Sequence, residues 1–141
     1  MSLSKTVICI ILFIIIIISV LGSSFEYKEN FQVQSKFIVG MFYAPWCGWS
    51  KKALPEFEKL ESKYKKTHDN KIKFKLIDCD ASSGKNLCQT NKITGFPDIR
   101  MFKIKNTDEL DKNITPSNEI GIFQGGRTSD ELFSWCTNLA K

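Results

Sequence analysis

Residues 37–43, Phe37-Ile38-Val39-Gly40-Met41-Phe42-Tyr43, form an apolar run that stops at Ala44-Pro45. A half-buried strand would alternate apolar and polar residues. An almost unbroken run of this length predicts a central strand buried on both faces. From Gly48 to about Lys66 the pattern changes, with Leu54, Phe57, Leu60 and Tyr64 recurring at steps of three and four. That period predicts an amphipathic helix, which Pro55 is expected to kink.

Further along, Ile72 to Asp78 reads as a second strand, Ala81-Ser82-Ser83-Gly84 as a loop and Lys85 to Thr90 as a weak short helix. Gly95-Phe96-Pro97 breaks the chain before a strand over Ile99 to Lys103. The polar residues 105–118 predict a turn or a hairpin insertion. Glu119 to Gln124 reads as the last strand, ended by Gly125-Gly126. Thr128 with Glu131 makes a capping box for a final helix whose apolar face is Leu132, Phe133, Trp135, Cys136 and Leu139. The order strand, helix, strand, helix, strand, strand, helix predicts an α/β fold. Its centre is one mixed sheet flanked by helices, in a single domain over residues 23–141.

The segment before that domain stands apart. Residues 7–21 are almost wholly apolar, follow a single basic residue (Lys5) and precede Gly22-Ser23-Ser24. The run is short of the about 20 residues a relaxed membrane span needs. Residues 1–22 are therefore read as a secretory signal peptide, with an uncleaved signal anchor as the alternative. Either places the domain in an oxidising space: the secretory lumen, the exterior, or a membrane surface facing one. Only in the anchored form would the chain meet a membrane, through this segment alone. Formal net charge is +5, but the basic residues alternate with acids (Lys51, Lys52, Glu56, Glu58, Lys59, Glu61). They read as a solvated helix face, not a nucleic-acid surface. Heavy use of lysine, isoleucine and asparagine suits an AT-rich genome, such as that of a protist or a large DNA virus, where a virion would be a further location.

The junction between the first strand and helix carries the chemistry. Phe42-Tyr43-Ala44-Pro45-Trp46-Cys47-Gly48 resembles the opening of the catalytic domain of protein disulfide isomerases, members of the thioredoxin-fold family. Pro55 matches the kink proline of that family's helix. Gly95-Phe96-Pro97 resembles the loop bearing its cis-proline, and Phe123-Gln124-Gly125-Gly126-Arg127-Thr128 resembles its Tyr-x-Gly-x-Arg-Thr end. The marks occur in order from about Phe37 to the C-terminus. The resemblance implies a thioredoxin fold, with the family's first strand and helix shortened because only residues 23–36 precede the first clear strand.

Cys47 is the candidate nucleophile. A cysteine where a strand hands over to a helix has its thiolate favoured by backbone N–H groups and the helix dipole. The thiolate is the species that attacks a disulfide. Gly48 is expected to let the loop turn tightly. Ser50 could offer the sulfur a hydroxyl hydrogen bond, and Trp46 and Trp49 would flank it with flat apolar surface. Phe96 and Pro97 would supply backbone hydrogen bonds to a docked peptide.

Three departures from the family pattern bear on mechanism. Ser50 stands where the resemblance implies a second cysteine. Met41 stands where it implies a buried acid that accepts the second thiol's proton. With no thiol to serve, an unpaired buried carboxylate would only cost stability, so the two changes are physically consistent. Asp98 stands where the family has threonine, and its side-chain direction is open. Arg127 corresponds to an arginine that tunes the second thiol, and without that thiol an ion-pairing or capping role is as reasonable.

The resemblance also implies a structural Cys79–Cys88 disulfide, whose loop is worth roughly 2–3 kcal/mol on the chain-entropy estimate. A metal site is not expected, since His68 is the only histidine and reads as exposed. Cys136 is expected to be buried and unreactive. Asn113-Ile114-Thr115 is a glycosylation sequon, with Pro116 unfavourable after it. No cofactor is implied.

The reading is a thiol-disulfide exchange protein working through one cysteine. Its partners would be cysteine-containing clients, another oxidoreductase or glutathione. The alternatives are a binding module that uses the Trp46, Trp49 and Phe96 surface without chemistry, and glutathione-linked chemistry, which the flanking residues favour least.

Overall fold

The computed structural model describes residues 5–22, 36–105 and 109–141. The chain divides into two units, Met1–Gln32 and Val33–Lys141. The first contains helix α1 (Lys5–Gly22). Its 18 residues extend about 27 Å at the α-helical rise, less than the roughly 30 Å of a bilayer's hydrocarbon core. Among the described residues no helix is long and apolar enough to cross a membrane, so the anchor expectation is not supported. The shortening expected at residues 23–36 lies almost wholly outside the described residues.

The second unit is built on a four-stranded mixed sheet in the order β2-β1-β3-β4. Its strands are β1 (Phe37–Tyr43), β2 (Ile72–Asp78), β3 (Asp98–Lys103) and β4 (Glu119–Ile122). Helices α2 (Gly48–Lys65), α3 (Ser82–Thr90) and α4 (Ser129–Leu139) complete it. β1 pairs in parallel with β2, placing Tyr43 opposite Asp78, and antiparallel with β3, placing Phe42 opposite Asp98. β3 pairs antiparallel with β4.

The apolar run of β1 is explained by its central place. Val39 and Met41 enter a core with Phe57, Leu60 and Tyr64 of α2 and Leu132 and Cys136 of α4. Ile38 and Phe42 enter a second core with Ile77, Cys88, Phe102 and Ile114. Helix α2 buries Ser50, Ala53, Phe57, Leu60 and Tyr64, spaced by three and four residues. Each large apolar side chain so buried contributes about 1.5–3 kcal/mol. Pro55 lies on the exposed side, and the helix continues through it to Lys65.

Helix α3 begins at Ser82, three residues before the expected start. The Asp78 carboxylate receives the N–H groups of Asp80 and Ala81, at 2.9 and 3.3 Å, and turns the chain into the helix. Gly84, with no Cβ, lets α3 lie close against the end of β2. A Cβ there would stand 2.0 Å from the Asp78 carbonyl oxygen.

The described part of 105–118 holds two short 3₁₀ turns, Leu110–Asn113 and Pro116–Asn118, and no strand. β3 starts one residue earlier than expected, and β4 stops at Ile122 rather than Gln124. The capping box at α4 forms, with Glu131 N–H donating to Thr128 Oγ1 at 3.3 Å and Thr128 N–H to Glu131 Oε2 at 3.4 Å.

Candidate active site

The β1–α2 junction turns tightly, with Cys47 N–H donating to the Ala44 carbonyl at 3.0 Å. Cys47 is the N-cap of α2, in extended backbone conformation, and its side chain caps nothing. The half-buried thiol instead approaches the Phe96 carbonyl oxygen, with Sγ at 3.6 Å. Its pKa lies below that of an ordinary thiol. The Ser50 backbone N–H is the main cause and works against the thiol's partial desolvation; the Ser50 hydroxyl and the Trp49 N–H assist. Hydrogen bonds to the charged form favour it. Ser50 is fully buried, and its Oγ accepts from Ala44 N–H at 3.4 Å. A hydroxyl that accepts one bond still has its proton to donate, here to the sulfur.

The Phe96–Pro97 peptide bond is cis, and Pro97 is buried just before β3. Trp46 meets Phe96 edge to face at 6.0 Å between ring centres. The Lys52 ammonium lies 5.0 Å from the Trp49 ring. Trp46 and Trp49 are each 67 % exposed, so the thiol is bordered by apolar surface open to a partner. Gly48 differs from expectation: its φ is not positive and a Cβ there would meet nothing within 4 Å. The turn does not demand glycine at that position, whose bareness leaves the face beside Cys47 open.

Met41 is fully buried in the α2–α4 core, with Leu76 and Ile99 at its strand-partner positions. The place implied for a proton acceptor is thus filled by a thioether. Asp98 is engaged by Arg100, whose Nε and Nη2 donate to its two oxygens at 2.9 and 2.7 Å. Arg100 Nη1 also donates to Glu119 at 2.8 Å. Bonding to Asp98 above all, and then to Glu119, outweighs burial and raises the pKa of Arg100. This triad was missed in the sequence, although Asp98 and Arg100, two apart on a strand, share a face. Arg127 adopts a left-handed backbone conformation (φ 64°). It has no ion-pair partner among the described residues, which leaves the expected pairing role empty.

Cys79 and Cys88 form a disulfide, with Cα atoms 5.7 Å apart. It ties the end of β2 to α3, and Cys79 N–H donates to the Tyr43 carbonyl at 2.9 Å, just before the Cys47 turn. Cys136 is fully buried, and burial pushes its pKa up to about 12. His68 is exposed. Among the described residues no group of three His, Cys, Asp or Glu side chains could hold a metal ion.

Asn113, the asparagine of the expected sequon, is built into the fold. Its side chain is 1 % exposed, its Oδ1 accepts from Lys105 N–H at 2.8 Å and its Nδ2 donates to the Glu109 carbonyl at 3.2 Å. The amide that a glycan would modify is engaged in holding the turn.

The family model named Thioredoxin matches residues 19–138. The chain belongs to the thioredoxin family. It is 35 % identical over 107 residues to protein disulfide-isomerase 1 of Dictyostelium discoideum, covering 76 % of this chain and 26 % of that protein. To protein disulfide isomerase-like 2-1 of Oryza sativa subsp. japonica it is 36 % identical over 124 residues, covering 88 % and 29 %. The chain thus spans little more than a quarter of the length of these relatives. Among solved structures, the first thioredoxin domain of mouse protein disulfide-isomerase A4 matches with TM-score 0.57 and 27 % identity, covering 79 % of this chain and 69 % of that one. Human ERp44 matches with TM-score 0.61 and 21 % identity, covering 77 % and 29 %, a likeness of fold. The domain is thus a thioredoxin-family unit related to thiol-disulfide oxidoreductases.

Proposed function

We propose that this thioredoxin domain performs single-thiol exchange through Cys47 in an oxidising, extracytosolic compartment reached by way of the α1 segment, read as a signal peptide. The observation that carries the reading is the pairing of an activated Cys47 with a buried Ser50 hydroxyl three residues on. Within residues 36–105 and 109–141 the other cysteines are spent: Cys79 and Cys88 are joined, and Cys136 is buried in the core. The Cys47 thiolate would attack one sulfur of a client disulfide. A Cys47–client S–S bond forms, the client S–S bond breaks, and the departing sulfur leaves as a thiolate that takes a proton from water. One disulfide is consumed and one made, so no external oxidant is needed. Release requires a second thiolate, from the client, from glutathione or from another oxidoreductase. This supports capture and isomerisation, not two-electron turnover at one site.

The test is to quench thiol exchange in cells with an alkylating agent and compare covalent adducts of the wild type with those of Cys47→Ala. Reducible adducts only in the wild type are the expected result. Identical partner sets would instead support the binding-module reading, which the exposure of Trp46 and Trp49 favours.

A further inference from the structure

The cis-proline loop borders a hollow of about 320 Å³. Gly95, Phe96 and Pro97 line one side of it, and Phe123, Gln124 and Arg127 the other. Its charges are unequal in their commitments. Asp98 also lines it, but both carboxylate oxygens are bonded to Arg100. Arg127 has no acidic partner among the described residues. The left-handed backbone at Arg127, in the turn leading into the Thr128 cap of α4, is an uncommon conformation for arginine. The hollow is therefore walled by one answered acid and one unanswered guanidinium, the side chain best shaped to hold a carboxylate through two parallel hydrogen bonds.

The hollow and the thiol share a wall, since Phe96 lines the first and its carbonyl oxygen lies 3.6 Å from Cys47 Sγ. At about 3.3 Å per residue, an extended peptide crosses such a loop in about two to four residues. We propose that this hollow is a carboxylate-accepting subsite that selects cysteine-bearing peptides carrying an acidic group a few residues from the reacting sulfur. The proposal deepens the single-thiol reading and rests on it for its covalent form. Acidic protein segments and glutathione, itself a cysteine peptide with free carboxylates, offer the same chemistry.

The experiment uses the full chain and two peptide disulfides that differ only by glutamate or glutamine three residues from the cysteine. The rate of mixed-disulfide formation at Cys47 is followed at low and high salt. The wild type should favour the glutamate peptide by about three- to ten-fold at low salt, the size of one partly exposed charged contact, with the preference shrinking as salt rises. Arg127→Asn, a neutral residue that tolerates the left-handed backbone, should bring the ratio near one. Equal rates in the wild type, or a preference that survives Arg127→Asn, would overturn the subsite.

Glutathione disulfide and its carboxyl ester form a second pair, and the pair whose discrimination depends on Arg127 identifies the source of the carboxylate. In Cys47→Ala the same peptides are titrated without exchange, reading the amide shifts of Gly95 and Gln124. Shifts for the glutamate peptide alone support the subsite even if Cys47 reacts with neither disulfide, an outcome that would sink only the single-thiol reading. Equal or absent shifts would count against the subsite itself.

Discussion

Ser50→Ala separates the two tasks assigned to the Ser50 hydroxyl. The side chain is fully buried, accepts from Ala44 N–H at 3.4 Å and assists the Cys47 thiolate. Alanine keeps the Ser50 backbone N–H, the larger support of the thiolate, and removes the oxygen. Ala44 is itself buried, so its N–H loses its acceptor with no water to replace it. Orphaning a buried donor costs about 1–3 kcal/mol. The 3.4 Å separation is longer than the usual hydrogen bond, which places this loss near the lower end, at about 1 kcal/mol. For a domain of this size that lowers the melting temperature by about 4–8 °C. The Cys47 pKa should rise but stay below that of an ordinary thiol, because the Ser50 and Trp49 N–H groups remain. Thermal unfolding followed by circular dichroism gives the first quantity, and the pH profile of Cys47 alkylation gives the second. An unchanged alkylation midpoint would refute the hydroxyl's part in activating the sulfur. An unchanged melting temperature would refute its part in bracing the turn.

Brief alkylation at pH 7 should label Cys47 well before Cys136. With a pKa near 12, Cys136 is about 10⁻⁵ thiolate at pH 7, against at least about 3 % for a thiol at or below the ordinary value. The greater nucleophilicity of the more basic thiolate returns a factor of about 40, leaving a preference near a hundred-fold before burial is counted. Comparable labelling by mass spectrometry would contradict the site assignment. Stability should decline on the alkaline side. Burial raises Cys136 and Tyr64 to about 12 in the folded state, so their contribution is intact below the unfolded values of about 8.5 and 10 and lost as pH climbs towards 12. Cys136→Ala should flatten the first part of that decline in urea titrations, and an unaltered slope would count against it. Gly84→Ala should unfold the α3 contact despite alanine's better helix propensity of about 1 kcal/mol, because its Cβ would meet the Asp78 carbonyl at 2.0 Å; a variant as stable as the parent would refute the close approach. Ser50→Cys should yield weak insulin reduction, since buried Met41 provides no proton acceptor, and full turnover from that one change would disprove the role given to Met41.

Much of the site was legible because its parts are local in sequence. A strand ending in Ala44-Pro45 and a helix starting at Gly48 leave Cys47 at the junction. The Thr128–Glu131 capping box needs only three residues of helix to form. The Cys79–Cys88 pair and the Gly95-Phe96-Pro97 loop were readable through the family resemblance, and the structure contains the disulfide and the cis bond. Other features were hidden because their causes are distant. Ser82-Ser83-Gly84 has the composition of a loop, yet the Asp78 carboxylate turns the chain just ahead of it and the end of β2 packs close against the helix it forms. Asn113 has the local signature of an exposed sequon, but its side-chain amide is bound to the backbone of Lys105 and Glu109. Gly48 looked like a conformational need and is bare space beside a thiol.

The sequence by itself determined the α/β order of elements, the central place of β1 and the cysteine left without a second thiol three residues away. Those follow from hydrophobic period and residue identity, which need no partner to be read. Only the tertiary structure decided how the charges are spent. Asp98 is committed to Arg100, Met41 is sealed in the core, the Ser50 hydroxyl is shared between a backbone amide and a sulfur, and Arg127 has no ion-pair partner among the described residues. The physical reason is that hydrogen bonds and ion pairs depend on distances of a few ångströms between residues far apart in the chain, which only the folded packing sets.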